Sequence, residues 1–171
     1  MSYANGGASG QLAQAINYLI NSAAYSTDLA QLRDSTDTYT ISVDPNGTDG
    51  YEPANGTITW NPLSGLVIPM VGIQSAALAL AHETRHAACH DRLGTPAYLN
   101  SQKAPVNMVV NGNEITLSKG ISPDEQSATS AEQIVSQQLG GTDPARSSYH
   151  MPGTFPVRVT NPTFYVQGPV F

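Results

Sequence analysis

Three of the chain's four histidines, its single cysteine and a glutamate fall between Ala81 and Asp91, in the stretch AHETRHAACHD. Within it, His82-Glu83-Thr84-Arg85-His86 has the spacing H-E-x-x-H. On an α-helix, residues four apart share one face, about 6 Å apart along the axis. Two imidazoles so placed reach one Zn²⁺ at about 2.0–2.1 Å. Glu83 is offset by one residue, so its carboxylate stands beside such an ion without binding it. There it can hold the ion's water and take a proton from it, while the ion acidifies that water and polarises a carbonyl. The spacing therefore predicts metal-assisted hydrolysis, with His82 and His86 as zinc ligands and Glu83 as general base. His90 continues the ladder but lies about 12 Å from His82 along a straight helix, too far to share the ion. It is expected to face solvent or cap the helix end, and Cys89 to act as a small packing residue.

A catalytic zinc takes three protein ligands and keeps one position open. The candidates for the third are Asp91, Glu125, Glu132 and His150. Asp91 serves only if the helix bends early. Glu125 and Glu132 are seven apart and share a helix face, and Glu125 also forms an S-x-x-E capping box with Ser122. Spacing does not choose between them. A purely structural zinc in a non-catalytic interaction domain is the rival reading, but such sites favour thiolates and the chain has one cysteine.

The elements that must position these residues can be read from periodicity. Ile73, Ala76, Ala77 and Leu80 predict a helix from Gly72 that runs through the histidines to Gly94. The stretch SPDEQSATSAEQIVSQQLGG predicts another, with Ser122 as N-cap, Pro123 in its first turn and Gly140 as its stop. Upstream, Leu12, Ile16, Leu19 and Ile20 mark an amphipathic helix, and STDLAQLRDS a short second one capped by Ser26 or Thr27. Tyr39, Ile41 and Val43 alternate with polar residues as a half-buried strand. Ile58 and Trp60 give TITW one apolar face, and TITW is expected to be the sheet edge on which an extended protein substrate adds as a strand. NMVVNGNEITL predicts a hairpin about Asn111-Gly112, and PVRVT and TFYV are strand-like pieces of a Pro-rich tail. The class is α+β, a single domain over residues 1–171 behind a flexible leader of about residues 1–9.

Composition narrows the function classes. Hydrophobic residues make up 40% and charged residues 12%, which is globular rather than disordered. A net charge of −6 with seven scattered Lys and Arg argues against nucleic acid or an anionic membrane as the main partner. No apolar run approaches the roughly 20 residues of a membrane span, and one cysteine rules out an internal disulfide. The first residues lack the basic start and apolar stretch of a signal peptide. A monomer is expected.

SAALALAHETRHAACH followed by PDEQSATSAEQIVSQQLGGTDPARSSYH resembles the zinc metallopeptidases of bacterial effectors. These are the type III-secreted effector peptidase family and related toxin domains at the C-termini of Rhs/YD-repeat proteins. Their pattern is HExxH, an acidic pair opening a later helix, a Glu about seven residues on, and R-x-x-Y after it. Here the pair is Asp124-Glu125, then come Glu132 and Arg146-Ser-Ser-Tyr149. The clostridial neurotoxin light chains are similar in layout. The resemblance implies a compact zincin-like fold, Glu125 as third ligand, Glu132 orienting a ligand histidine, and Arg146 and Tyr149 stabilising the oxyanion. It also implies a secreted effector or toxin acting inside a target cell, with an immunity protein as a possible partner; a housekeeping intracellular metallopeptidase is the other setting. The chain departs from the pattern in Asp124, where a first Glu is usual, and in Gln133, where Asn is usual.

Overall fold

A computed structural model describes residues 6–103, 108–110, 113–115, 121–147 and 152–168. Its centre is the histidine-bearing helix α3 (Ala76–Leu93). Small Ala residues and Leu let neighbours close on it from several sides, and thirteen of its residues are buried, including His82, His86 and His90. Ser75 caps its start, accepting from the Leu78 N–H at 3.3 Å. Gly94, at φ 73°, ends it in a conformation that costs a side-chain-bearing residue strain. The sequence places the helix correctly but starts it early. Gly72–Gln74 is a strand, β5, because Ile73 pairs across to Val67 of β4 (Ser64–Ile68) before the Ser75 cap turns the chain.

Two helices precede the sheets. In α1 (Gly6–Leu19), Leu12, Ala15 and Leu19 face the core, whereas Ile20 lies past the helix end and is exposed. This helix occupies part of the expected leader; residues 1–5 lie outside the described residues. In α2 (Ala23–Asp34) the cap is Ser22, not Ser26 or Thr27. Ser22 Oγ accepts from the Tyr25 N–H, and the Ser26 and Thr27 hydroxyls are turned back onto the carbonyls of Ile20 and Ala23. Arg85 of the motif points to this side, 3.0 Å from Asp28.

The first sheet has the order β1-β3-β2, from β1 (Thr40–Val43), β2 (Gly50–Glu52) and β3 (Thr57–Trp60). TITW is therefore the middle strand, parallel to β1 and antiparallel to β2, and has no free edge. Among the described residues β1 and β2 are the edge strands, and β2 is the one that packs beside α3. Periodicity identified TITW as a strand but carries no information on which neighbours it takes. Trp60, fully buried, donates its indole N–H to the Ala76 carbonyl at 2.8 Å and so fixes the sheet against the first turn of α3.

The second sheet, β8-β4-β5-β9, draws β8 (Phe155–Arg158) and β9 (Val166–Gln167) from the tail onto the β4–β5 hairpin. Gly72, at φ 148°, allows this closure, since a Cβ there would lie 1.9 Å from the Val166 carbonyl oxygen. Gly72→Ala is expected to lower the unfolding free energy by at least about 1–3 kcal/mol through backbone strain alone. Urea denaturation reads it; an unchanged midpoint would contradict the β5–β9 pairing. The predicted hairpin forms as β6 (Met108–Val110) with β7 (Asn113–Ile115), while its turn, Asn111-Gly112, lies outside the described residues. A short helix absent from the sequence reading, α4 (Thr95–Ser101), follows Gly94. The last helix, α5 (Pro123–Gln138), packs along α3 and is capped by Ser122 as expected. The whole is an α+β fold. Among the described residues no helix is long and apolar enough to cross a membrane.

Candidate metal centre

The first turn of α5 meets the middle of α3. His82 and His86 present their Nε2 atoms to each other at 3.0 Å. Glu125 Oε2 lies 3.3 Å from the first and 3.7 Å from the second. Two ligand atoms about 2.0–2.1 Å from a tetrahedral zinc stand roughly 3.3–3.4 Å apart, so this triangle has the size the ion requires. Glu125 Oε2 is buried and lacks a well-aligned hydrogen bond among the described residues; it faces the two ring nitrogens instead. Three protein ligand atoms is the number a catalytic zinc uses. Among the described residues, His82, His86 and Glu125 thus form a group that could hold a metal.

The backs of both rings are fixed. His82 Nδ1 is 2.7 Å from Glu132 Oε1, and His86 Nδ1 is 2.8 Å from Asp124 Oδ2. A ring that donates Nδ1–H to a carboxylate keeps the Nε2 lone pair for an ion and holds its orientation. Glu132 is wholly buried, so its charge needs partners. Arg146 supplies two contacts, Nη2 at 2.6 Å and Nε at 3.1 Å, and Gln74 of β5 donates at 3.1 Å. Tyr98 of α4 is buried near Asp124, and burial, then the Asp124 charge, raises its pKa. The pair Asp124-Glu125 therefore divides its work, one residue behind a histidine and the other in front of both.

These neighbours set the protonation of the metal-free site. Burial disfavours the charged form of His86, but Asp124 and Glu125, with Glu83 behind them, outweigh it and push its pKa up to about 10. His82 is buried too, which opposes its charged form, but the carboxylates of Glu125 and Glu132 beside its ring outweigh this and raise it. Burial alone would raise Glu125, yet His82 and then His86 hold its carboxyl well below the usual range. Glu83 moves the other way. Its burial raises the pKa, and the adjacent histidines only partly offset that, which is the direction a general base near neutrality needs.

The site opens into a cleft of about 620 Å³. Its floor is α3 with the start of α5. One wall is the 47–51 loop and strand, the other is β4 with Pro156 of β8. Glu83 and Asp49 both line it. Asp49 was not singled out from the sequence, where DPNGTDG reads only as a turn. Burial raises its pKa to about 7; the Asn61 N–H opposes this and the Glu83 charge adds to it.

The remaining expectations divide. Arg146 reaches the site from behind His82: Nε and Nη2 donate to Glu132, and Nη2 is also 3.2 Å from His82 Nδ1. Glu132 supports His82 from behind and does not face the Nε2 pair. Glu125 does take the S-x-x-E backbone bond, yet its carboxylate turns to the histidines instead of closing the box. Asp91 is held on the far side of the helix by Ser35, Gln31 and Tyr39. His90 is not a solvent-facing cap. It is buried against Tyr98, its Nδ1 2.5 Å from the Tyr51 hydroxyl and its Nε2 2.9 Å from Thr95 Oγ1. Cys89 is buried, as a packing residue should be. Tyr149 and His150 lie outside the described residues. Comparisons with protein-family models, with curated proteins and with solved structures give no match for this chain.

Proposed function

We propose that this protein is a zinc-dependent endopeptidase of the zincin type, cutting an extended segment of another protein. The observation that carries the reading is the convergence of two carboxylate-backed histidines and Glu125 on one point, with Glu83 in the same cleft. His82, His86 and Glu125 would hold the ion. Zinc, when bound, supplies Lewis acidity toward a carbonyl oxygen and an acidified water. Glu83 takes the proton of the attacking water and returns it to the leaving amine. Asp124 and Glu132 keep both imidazoles in the ligating tautomer, and Arg146 neutralises Glu132 so that it can stay buried. An incoming strand would lie along β2, an edge strand among the described residues, whose Gly50 and Tyr51 line the cleft. Tyr149 keeps its oxyanion role on the sequence resemblance alone.

The effector or toxin setting, and with it an immunity partner, also rests on that resemblance. The first test is hydrolysis of an unfolded protein by purified material. Activity should vanish with a chelator and return with zinc; chelator-resistant activity, or none in zinc-loaded protein, would refute the reading.

The raised histidine pKa values fix a sign. In metal-free protein the His86 pKa rises from 6.5 to about 10. Its contribution to fold stability is therefore complete below about pH 6.5 and is lost as pH climbs through about 10. Zinc binding must displace that proton. At pH 7.5 binding is expected to release at least one proton, and apparent affinity to rise about tenfold per pH unit for each. Calorimetry in two buffers of different ionisation enthalpy checks this; zinc binding without proton release would contradict it.

A further inference from the structure

The carboxylates around the cleft differ in what holds them. Asp124 is paired with His86, Glu132 with His82 and Arg146, and Glu125 faces the two Nε2 atoms. Glu83 stands over the site as the base. Asp49 is different. Its Oδ1 accepts a backbone hydrogen bond from the Asn61 N–H at 2.6 Å, and among the described residues no cationic side chain pairs with it. It is nevertheless held in place. Asn61 donates its side-chain amide to the Gly47 carbonyl at 2.9 Å and accepts from the Leu63 N–H at 3.0 Å. The chain before Asp49 is tied to Asn61 through Gly47, and the chain after it to β3 through the Gly50–Thr59 pairing. A carboxylate fixed by the backbone, half-buried and aimed into a cleft has the preparation expected of a recognition group.

Its position in the fold says what it would recognise. Asp49 directly precedes Gly50, the first residue of β2, and among the described residues β2 is an edge strand of its sheet, the one that lines the cleft. A strand laid along that edge passes Asp49 as it enters the cleft that Glu83 also lines, and the Glu83 charge acts on Asp49 there. Resting on the endopeptidase reading, we infer that Asp49 selects substrates by pairing with a basic side chain, Lys or Arg, close to the scissile bond. A guanidinium or ammonium supplies donors that the described residues do not give Asp49 beyond the Asn61 N–H, and a charge-assisted bond in a half-enclosed cleft is stronger than a neutral one.

The test uses binding, so it does not depend on turnover. Zinc-loaded Glu83→Gln protein is titrated with ten-residue Ala/Ser/Gly peptides, each carrying one arginine, or citrulline in its place, at a varied position. Citrulline keeps the shape and removes the charge. At one position the arginine peptide should bind roughly tenfold tighter or more. Asp49→Asn on the same background should erase that ratio, because Asn keeps the Asn61 bond but not the charge, while Asp49→Glu should retain part of it. Equal binding of the two peptides, binding of neither, or a preference that survives Asp49→Asn would overturn the inference. Wild-type zinc content and hydrolysis of an unfolded protein are measured alongside. Hydrolysis without a basic preference defeats this inference alone; absence of zinc and of hydrolysis defeats the reading beneath it.

Discussion

Glu83→Gln should abolish peptide hydrolysis, lowering kcat by about 10²–10⁴-fold, while the protein still carries a full equivalent of zinc. The substitution conserves volume and removes only the group that accepts the water's proton. Glu83 is buried at the edge of the cleft, and the candidate ligands are His82, His86 and Glu125, so the metal has no reason to leave. Activity measured with a quenched-fluorescent peptide, and zinc measured on the same sample, separate the two effects. If the variant loses both together, Glu83 holds the ion and the assignment of roles is wrong. If it keeps its activity, the base is another residue. The same variant addresses the biological setting. Should the chain be a toxin, expression of the wild type inside cells arrests growth and Glu83→Gln does not.

The second large effect concerns the two carboxylates of α5. Glu125→Ala should lose zinc altogether at micromolar protein. Glu132→Gln should keep it with an affinity lowered by about 10–100-fold. The difference follows from which ring nitrogen each one meets. Glu125 Oε2 lies in front of both Nε2 atoms, and Glu132 Oε1 lies behind His82 at Nδ1. Glutamine is the right replacement at 132, because its oxygen can still accept from His82 or Arg146. Alanine there would leave the Arg146 guanidinium without its carboxylate and confuse metal loss with unfolding. Zinc retained by Glu125→Ala and lost by Glu132→Gln would reverse the ligand assignment.

How far the sequence reaches is visible in these same residues. The two histidines and their glutamate were legible because helical period and spacing are local properties, and α3 is one unbroken helix. Ser122 and Pro123 likewise announce the start of α5. The choice between Glu125 and Glu132 was not legible from spacing. Seven residues put both on one face, and only the height at which α5 crosses α3 decides which meets Nε2. The resemblance pointed to Glu125, and the geometry brings that residue to the histidines. Asp124 as the support of His86 was missed for the same reason. TITW was recognisable as a strand, but its central place depends on β2 returning to pair with it, and that pairing is non-local. His90 looked like a polar residue at a helix end. Its burial comes from Tyr51 and Tyr98, one from a strand and one from a helix, which close over it in space. Asp49 had no local signal at all, since a turn sequence does not tell which cleft the turn overhangs.

One measurement bears most directly on the central claim: the zinc-edge anomalous map of a crystal grown from zinc-loaded protein. The account predicts a single peak about 2.0–2.1 Å from Nε2 of both His82 and His86 and from one oxygen of Glu125. No peak between those rings, or an ion bound there with Glu125 turned away, would contradict it.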